Sequence, residues 1–212
     1  MNDQYLYPAI RTVRRNGEER FINSETDACL SDFWAWAYSD LNGNTERSKI
    51  AEYIVSLAMC CADGVSEGWG AFDILSPEGI RIEVKSSAYI QSWAQKKLSD
   101  IRFGVRETLA WNPETNELTE KAERHADVYV FCVQNCRYQE AANPLDLAQW
   151  DFYPVSTEAL MTVIERQQKT VGLDPLLNTV AKRCSYNELR AVVLALAKKM
   201  QVSGASESDP DK

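Results

Sequence analysis

FDILSPEGIRIEVKSS, residues 72–87, alternates apolar with polar or charged residues on both sides of a tight turn. Period-two alternation is the pattern of strands with one covered face. Pro77-Glu78-Gly79 suits a three-residue hairpin loop. Proline presets the first turn dihedral, and glycine takes the left-handed position that closes the loop with a bulge. Ser76 then pairs with Ile80, and counting outward sets Asp73 opposite Glu83. Opposed residues share a face with Cβ atoms about 5 Å apart, and Lys85, two residues beyond Glu83, shares it as well.

Two facing carboxylates repel, and a hairpin needing only stability avoids them. A divalent cation reverses the sign of that interaction. Magnesium prefers oxygen ligands and accepts a few carboxylates together with water and phosphate oxygens. A neighbouring lysine then neutralises developing charge or positions the attacking water, the layout that metal-assisted phosphodiester hydrolysis needs. The plain alternative is an ordinary hairpin with one wet face, because Asp, a spacer and Glu-x-Lys recur by chance.

Upstream, Thr45 is the expected N-cap of a helix running through IAEYIVSLAMCCA, residues 50–62, which Asp63-Gly64 stops. That segment is apolar almost all round and so predicts burial on most sides. Glu52 is its one acidic residue. At about 100° per residue it falls opposite the face of Ile50, Ile54 and Cys61, which reads as a solvent-facing glutamate. Its isolation in an apolar helix still asks for a partner, and a metal cluster is one such partner.

Farther out, Cys29, Leu30, Phe33, Trp34 and Ala37 space a helix within residues 24–41, ended by Asn42-Gly43-Asn44. Strands are expected at 69–75, 80–86, 101–106 and 127–133, the last (DVYVFCV) apolar enough to be central. WDFYPV, residues 150–155, is a fifth strand that Pro154 confines to an edge. Helical patterns cover 156–168 and 186–200, the second opened by a Ser185–Glu188 capping box. The order predicts a mixed α/β layer with helices on the sheet.

The totals narrow the chemistry. The 212 residues, 45% hydrophobic and 25% charged, fit one globular domain with a terminal arm or tail. A net charge of −8 argues against a protein that lives on nucleic-acid electrostatics alone, although a local basic groove stays open to it. With His125 as the single histidine, multi-histidine metal centres are excluded within one chain, and carboxylates and lysines must carry any hydrolysis. Cys132 and Cys136 lack a second Cys/His pair for zinc. Cys60 and Cys61 inside a helical pattern, and Cys132 in a strand pattern, read as reduced buried thiols. With no bilayer-length apolar run and no signal-peptide layout, a cytoplasmic protein is expected. Arg11, Arg14, Arg15 and Arg20 make either a basic arm or a solvated edge. Trp34, Trp36, Trp69, Trp93, Trp111 and Trp150 are expected in the core or an interface.

At KIAEYIV, WGAFDIL and IRIEVKSS the chain resembles the PD-(D/E)xK nuclease superfamily, the restriction-endonuclease-like fold. EVKSSAYIQSW and ADVYVFCVQ extend the likeness to small bacterial and phage proteins of that kind, over residues 44–160. Ala71-Phe72-Asp73 replaces the Pro-Asp of the motif, a proline often absent in the family. The resemblance implies a central mixed β-sheet flanked by helices and Mg²⁺-dependent hydrolysis of DNA, with Mn²⁺ as a substitute. Asp73 and Glu83 would bind metal with the Val84 carbonyl, Lys85 would assist the nucleophilic water, and Glu52 would complete the cluster. The expected division is an arm and helix packed on the core over residues 1–43, the nuclease-like domain over 44–202, and, from its polar composition, a disordered tail over 203–212.

Ser86, Ser87, Tyr89 and Gln91 follow the motif lysine and offer phosphate contacts or order the site. Lys96, Lys97, Arg102 and Arg106 form a basic group suited to a DNA backbone, or a solvated face. The expectation is therefore a cytoplasmic endodeoxyribonuclease, homodimeric so as to cut two strands, in restriction or antiphage defence. Its rivals are a DNA-binding or regulatory module that keeps the fold without cutting, and a structural subunit among partner proteins of a defence or mobile-element complex.

Overall fold

A computed structural model describes residues 7–66, 68 and 70–206. The N-terminal helix α1 is Leu30–Tyr38, and α2 is Asn44–Ala58. A short β1, Ile74–Leu75, turns into the long β2, Arg81–Ala88. Next come β3 (Arg102–Gly104), the small hairpin of β4 (Trp111–Asn112) and β5 (Glu117–Leu118), and β6 (Val128–Gln134). Then follow β7 (Trp150–Ser156), α3 (Thr157–Met161), β8 (Thr170–Gly172), α4 (Leu173–Leu177) and α5 (Tyr186–Ser206).

The central sheet has the order β1-β2-β6-β7, with β2 and β6 parallel and the other pairs antiparallel. The architecture is mixed α/β, a mixed sheet with helices on it. Every residue of β6 is buried, as its continuous apolar run predicts for an inner strand covered on both faces. Val128, Val130 and Cys132 meet Ile82, Val84 and the apolar side of α2 and α5. Tyr129, Phe131 and Val133 face the other way, onto Phe103, Leu160, Val171 and Leu176. Glu83 and Lys85, in register with Tyr129 and Phe131, therefore lie on this second face. β7 is the expected edge: Phe152 exchanges backbone bonds outward with Cys184, and Pro154, two residues on, has no N–H to lose on that side.

The hairpin register agrees with the count made through the loop. Ile74 pairs with Ile82 and Leu75 with Arg81, the Ser76 N–H donates to the Ile80 carbonyl, and Gly79 holds φ +80°. The strand expected over 69–75 shrinks to Ile74–Leu75, because residues 71–73 bend away; Trp69 lies outside the described residues. The segment at 101–106 gives only β3, which pairs with β8 apart from the central sheet. β8 and α4 carry no period long enough to announce them. The helix expected over 156–168 is the five-residue α3, whose N-cap Ser156 accepts from the Ala159 N–H at 3.2 Å. α5 opens on half of the expected capping box, the Ser185 N–H and hydroxyl both donating to Glu188 Oε2, and continues through Ser206, so residues 203–206 of the expected tail are helical; 207–212 lie outside the described residues.

α2 starts one residue before Thr45, with Gly43 as N-cap. A Cβ on Gly43 would displace the Glu46 carboxylate and crowd the Asp40 carbonyl at 3.0 Å, so this entry favours glycine. The helix ends at Ala58, short of 62. The Cys60 N–H donates to the Leu57 carbonyl and the Cys61 N–H to that of Ser56, with Cys60 at φ 60°. This is a Schellman cap with a cysteine in the position glycine usually takes. Cys60 is accordingly exposed rather than a buried helical thiol, and all six cysteines are free.

α1 departs most from expectation. None of its residues is buried, and Trp36 is 84% exposed, so it does not pack on the core. Among the described tryptophans only Trp150 is buried, whereas Trp34, Trp36, Trp93 and Trp111 lie at the surface. Of the arm's arginines, Arg15 pairs with Glu19 and Arg20 with Asp27, a solvated edge in part neutralised. No helix among the described residues is long and apolar enough to cross a membrane.

Candidate active site

Asp73, Glu83, Val84 and Lys85 meet where β1 stops. In a strand the N–H and C=O of one residue point to the same edge, and successive residues alternate edges. Arg81 exchanges backbone and side-chain bonds with Asp127 on the β6 side, whereas Ile82 accepts from Asp73 N–H on the β1 side. Val84 thus turns its N–H and C=O toward the β1 side, where β1 has already ended. The Asp73 carboxylate takes over as acceptor: its Oδ2 receives the Val84 N–H at 2.7 Å. Asp73 therefore sits at the edge of β2 rather than stacking flat on the face of Glu83, and the Val84 carbonyl is left at the same open edge.

Glu83 and Lys85 project from β2 on one face, two residues apart, and the Lys85 ammonium donates to Glu83 Oε1. Glu83 keeps 20% and Lys85 32% of their side-chain exposure, so the pair is reachable from solvent yet sheltered. Burial pushes the Glu83 carboxyl above its ordinary value; Lys85 opposes this, and the negative charges of Asp73 and Glu52 reinforce it. Tyr129, cross-strand from Glu83, has its hydroxyl pushed up to about 12, by burial first and by Glu83 next. Three carboxylates thus share one field, and at Glu83 the Lys85 charge offsets part of it.

Glu52 does not face open solvent as its helical angle predicts. Its side chain is 15% exposed, and Oε2 accepts from the Lys49 ammonium at 2.6 Å and from the Ser66 hydroxyl at 3.4 Å. Lys49 three residues earlier is a legible i,i+3 pair; Ser66, across the loop after α2, is not. Among the described residues no three acidic, histidine or cysteine side chains gather closely enough to hold one metal ion together. The Asp73 carboxylate and the Val84 carbonyl stand at the open edge of β2, with the Glu83 carboxylate on the adjoining face, all hard oxygens.

The residues after Lys85 divide. The Ser86 hydroxyl bonds Ser48 of α2 at 3.1 Å, tying the strand to the helix, and Ser87 Oγ accepts the Arg102 N–H at 3.4 Å. Gln91 is buried: its amide donates to the Ala88 carbonyl at 2.9 Å and its Oε1 accepts from Arg47 at 3.2 Å, so it is structural rather than a phosphate contact. Burial also lowers the pKa of that Arg47 guanidinium, with Asp40 opposing the shift. Tyr89 carries the Arg137 guanidinium over its ring at 4.2 Å, a partner 48 residues away that no local spacing reveals. Lys96, Lys97, Arg102 and Arg106 are exposed or partly so, with none of them buried. Comparison with family models, with curated proteins and with solved structures finds no match to this chain.

Proposed function

We propose that this chain is a metal-dependent endodeoxyribonuclease of the restriction-endonuclease-like kind, acting at Asp73, Glu83 and Lys85. The observation that carries the reading is a sheltered Glu83 held between Lys85 and the charges of Asp73 and Glu52, beside the open edge of β2. Two carboxylates and one carbonyl suit Mg²⁺ or Mn²⁺, which keep several positions for water and substrate phosphate. When bound, the ion would supply an acidified water and a counter-charge for the phosphoryl oxygens.

The remaining work falls to the chain's own groups. The Val84 N–H fixes Asp73 Oδ2 and so holds the carboxylate at the edge of β2. Lys85, now paired with Glu83, lies within reach of a phosphate oxygen or of the attacking water, whose proton and charge it can steady. Glu52 is tethered by Lys49 and Ser66 and acts through its charge or through water rather than as a direct ligand. The bend at residues 71–73 keeps a strand from covering the edge that a phosphodiester must approach.

A homodimer would bring two sites to two strands, and the uncovered aromatic side of α1 favours such an association. A place in restriction or antiphage defence belongs to the same proposal. Because no three acidic, histidine or cysteine side chains among the described residues are gathered in advance, a binding module that has kept the fold without cutting is the second reading. Plasmid and linear DNA incubated with and without Mg²⁺ or Mn²⁺, beside Lys85→Ala, separates the two. The nuclease loses cleavage by about 100-fold or more in the variant, and wholly in chelator, while still binding DNA. Intact substrate at every enzyme and metal level sinks the catalytic reading.

A further inference from the structure

We propose that the two loops leaving the C-terminal ends of β2 and β6 hold single-stranded DNA, so that the substrate of the Asp73–Glu83–Lys85 site is DNA with an unpaired stretch. This rests on the nuclease reading above. β2 and β6 are parallel and end level, Ala88 beside Gln134, so residues 89–101 and 135–149 emerge side by side. The carboxyl ends of parallel strands are where open α/β sheets take their ligands. Between the loops lies a cavity of about 280 Å³ lined by Gln95, Lys96, Lys97, Arg137, Tyr138 and Glu140. A hollow of about 480 Å³ continues along the first loop past Trp93 to Asp100 and Arg102.

The chemistry of this rim differs from that of the chain as a whole. The protein carries a net −8, yet here Lys96, Lys97, Arg102 and Arg137 outnumber Glu140 and Asp100. Among the described residues Lys96 and Arg137 enter no ion pair, and the exposed Lys97–Asp100 pair at 3.6 Å is weak. Tyr138 is 70% and Trp93 53% exposed, so aromatic faces stand free beside the cations. Cationic grooves interleaved with open rings bind nucleic acid by stacking bases, and a base offers its face only when unpaired. A double helix hides its bases and is too wide for a cavity of this size.

The rim also connects to the site. Tyr89, which seats Arg137, packs on the same side of the sheet as Lys85, four residues back. Four residues of strand span about 13 Å. That is about four stacked nucleotides at 3.4 Å each. A single strand that passes from the rim over Tyr89 toward Lys85 thus has about four nucleotides of path to the site on this proposal.

The test is fluorescence anisotropy in chelator, so that cleavage plays no part, with labelled oligothymidine of about 20 nucleotides, the matching blunt duplex and the RNA equivalent. Oligothymidine is expected to bind at least about 10-fold more tightly than duplex, and Tyr138→Ala to weaken it by roughly 5- to 100-fold. The Lys96→Ala/Arg137→Ala double variant should flatten the salt dependence by about 1.4 in slope, 0.7 for each phosphate that the protein no longer neutralises. Equal binding of duplex, tighter binding of RNA, or unchanged oligothymidine binding in both variants overturns the proposal. A protein that cuts DNA but fails here loses the single-strand assignment alone. One that binds as expected yet never cuts loses the nuclease reading alone.

Discussion

Replacing Glu83 with glutamine separates what the site costs in stability from what it does. Burial is the main reason the Glu83 carboxyl lies above its ordinary value, and Asp73 and Glu52 add to it against the pull of Lys85. A carboxyl with a raised folded-state pKa adds stability that is fully present below its unfolded value, near 4.3, and is lost as pH rises through the folded value. At neutral pH the wild type therefore carries an ionisation penalty that Glu83→Gln lacks, while the glutamine carbonyl still accepts from Lys85. Relief of such an active-site conflict is worth about 0.5–2 kcal/mol. In a chain of this size that corresponds to about 2–4 °C in Tm per kcal/mol. Thermal unfolding from pH 4 to 8 in chelator should show the glutamine variant melting higher at pH 7, with the gap closing toward pH 4. Millimolar Mg²⁺ should then raise the wild type and not the variant, by about 2.7 kcal/mol at a hundredfold excess over Kd. A variant that melts lower at pH 7, or a gap that does not change with pH, refutes the reasoning: the Lys85 attraction would then outweigh burial.

Two more outcomes are expected. Asp73→Ala leaves the Val84 N–H without its acceptor and should cost about 1–2 kcal/mol in a urea melt, which Asp73→Asn, keeping an oxygen there, should largely restore without restoring cleavage. Cys60→Gly relieves the left-handed residue of the α2 cap and should stabilise by about 0.5–1 kcal/mol in the same melt, with DNA binding unchanged.

The hairpin is legible in the sequence because its register depends on local chemistry. Pro77 and Gly79 set the loop, and the loop sets which residues face each other. Strand β6 is legible because an all-apolar run has few other places to go. Other features depend on partners distant in sequence, and no period encodes them. The aromatic spacing of α1 predicts an amphipathic helix but does not say what covers it, and none of its residues is buried. β3 and β8 are three residues each and exist through one another, Phe103 opposite Val171, across 68 positions of chain. The 3.6-residue period turns Glu52 to solvent, whereas its side chain is 15% exposed and meets Ser66 of the following loop, a partner that the period does not encode.

The same distinction explains the site. Opposed carboxylates on a hairpin look like a conflict confined to that hairpin, solved by a cation. The structure resolves part of it first through the backbone. The chain bends at residues 71–73, β1 ends after two residues, and the Asp73 carboxylate substitutes for the missing strand by accepting from Val84. What is left is the half of the conflict that the fold does not relieve, a sheltered Glu83 whose neighbours Asp73 and Glu52 are also acidic. A protein under selection for stability alone could remove that charge at no structural loss, since glutamine fits the same place. On the proposed reading the charge that Lys85 does not fully offset is kept for a second cation, and the shortened β1 leaves the Val84 carbonyl at the edge where it would arrive.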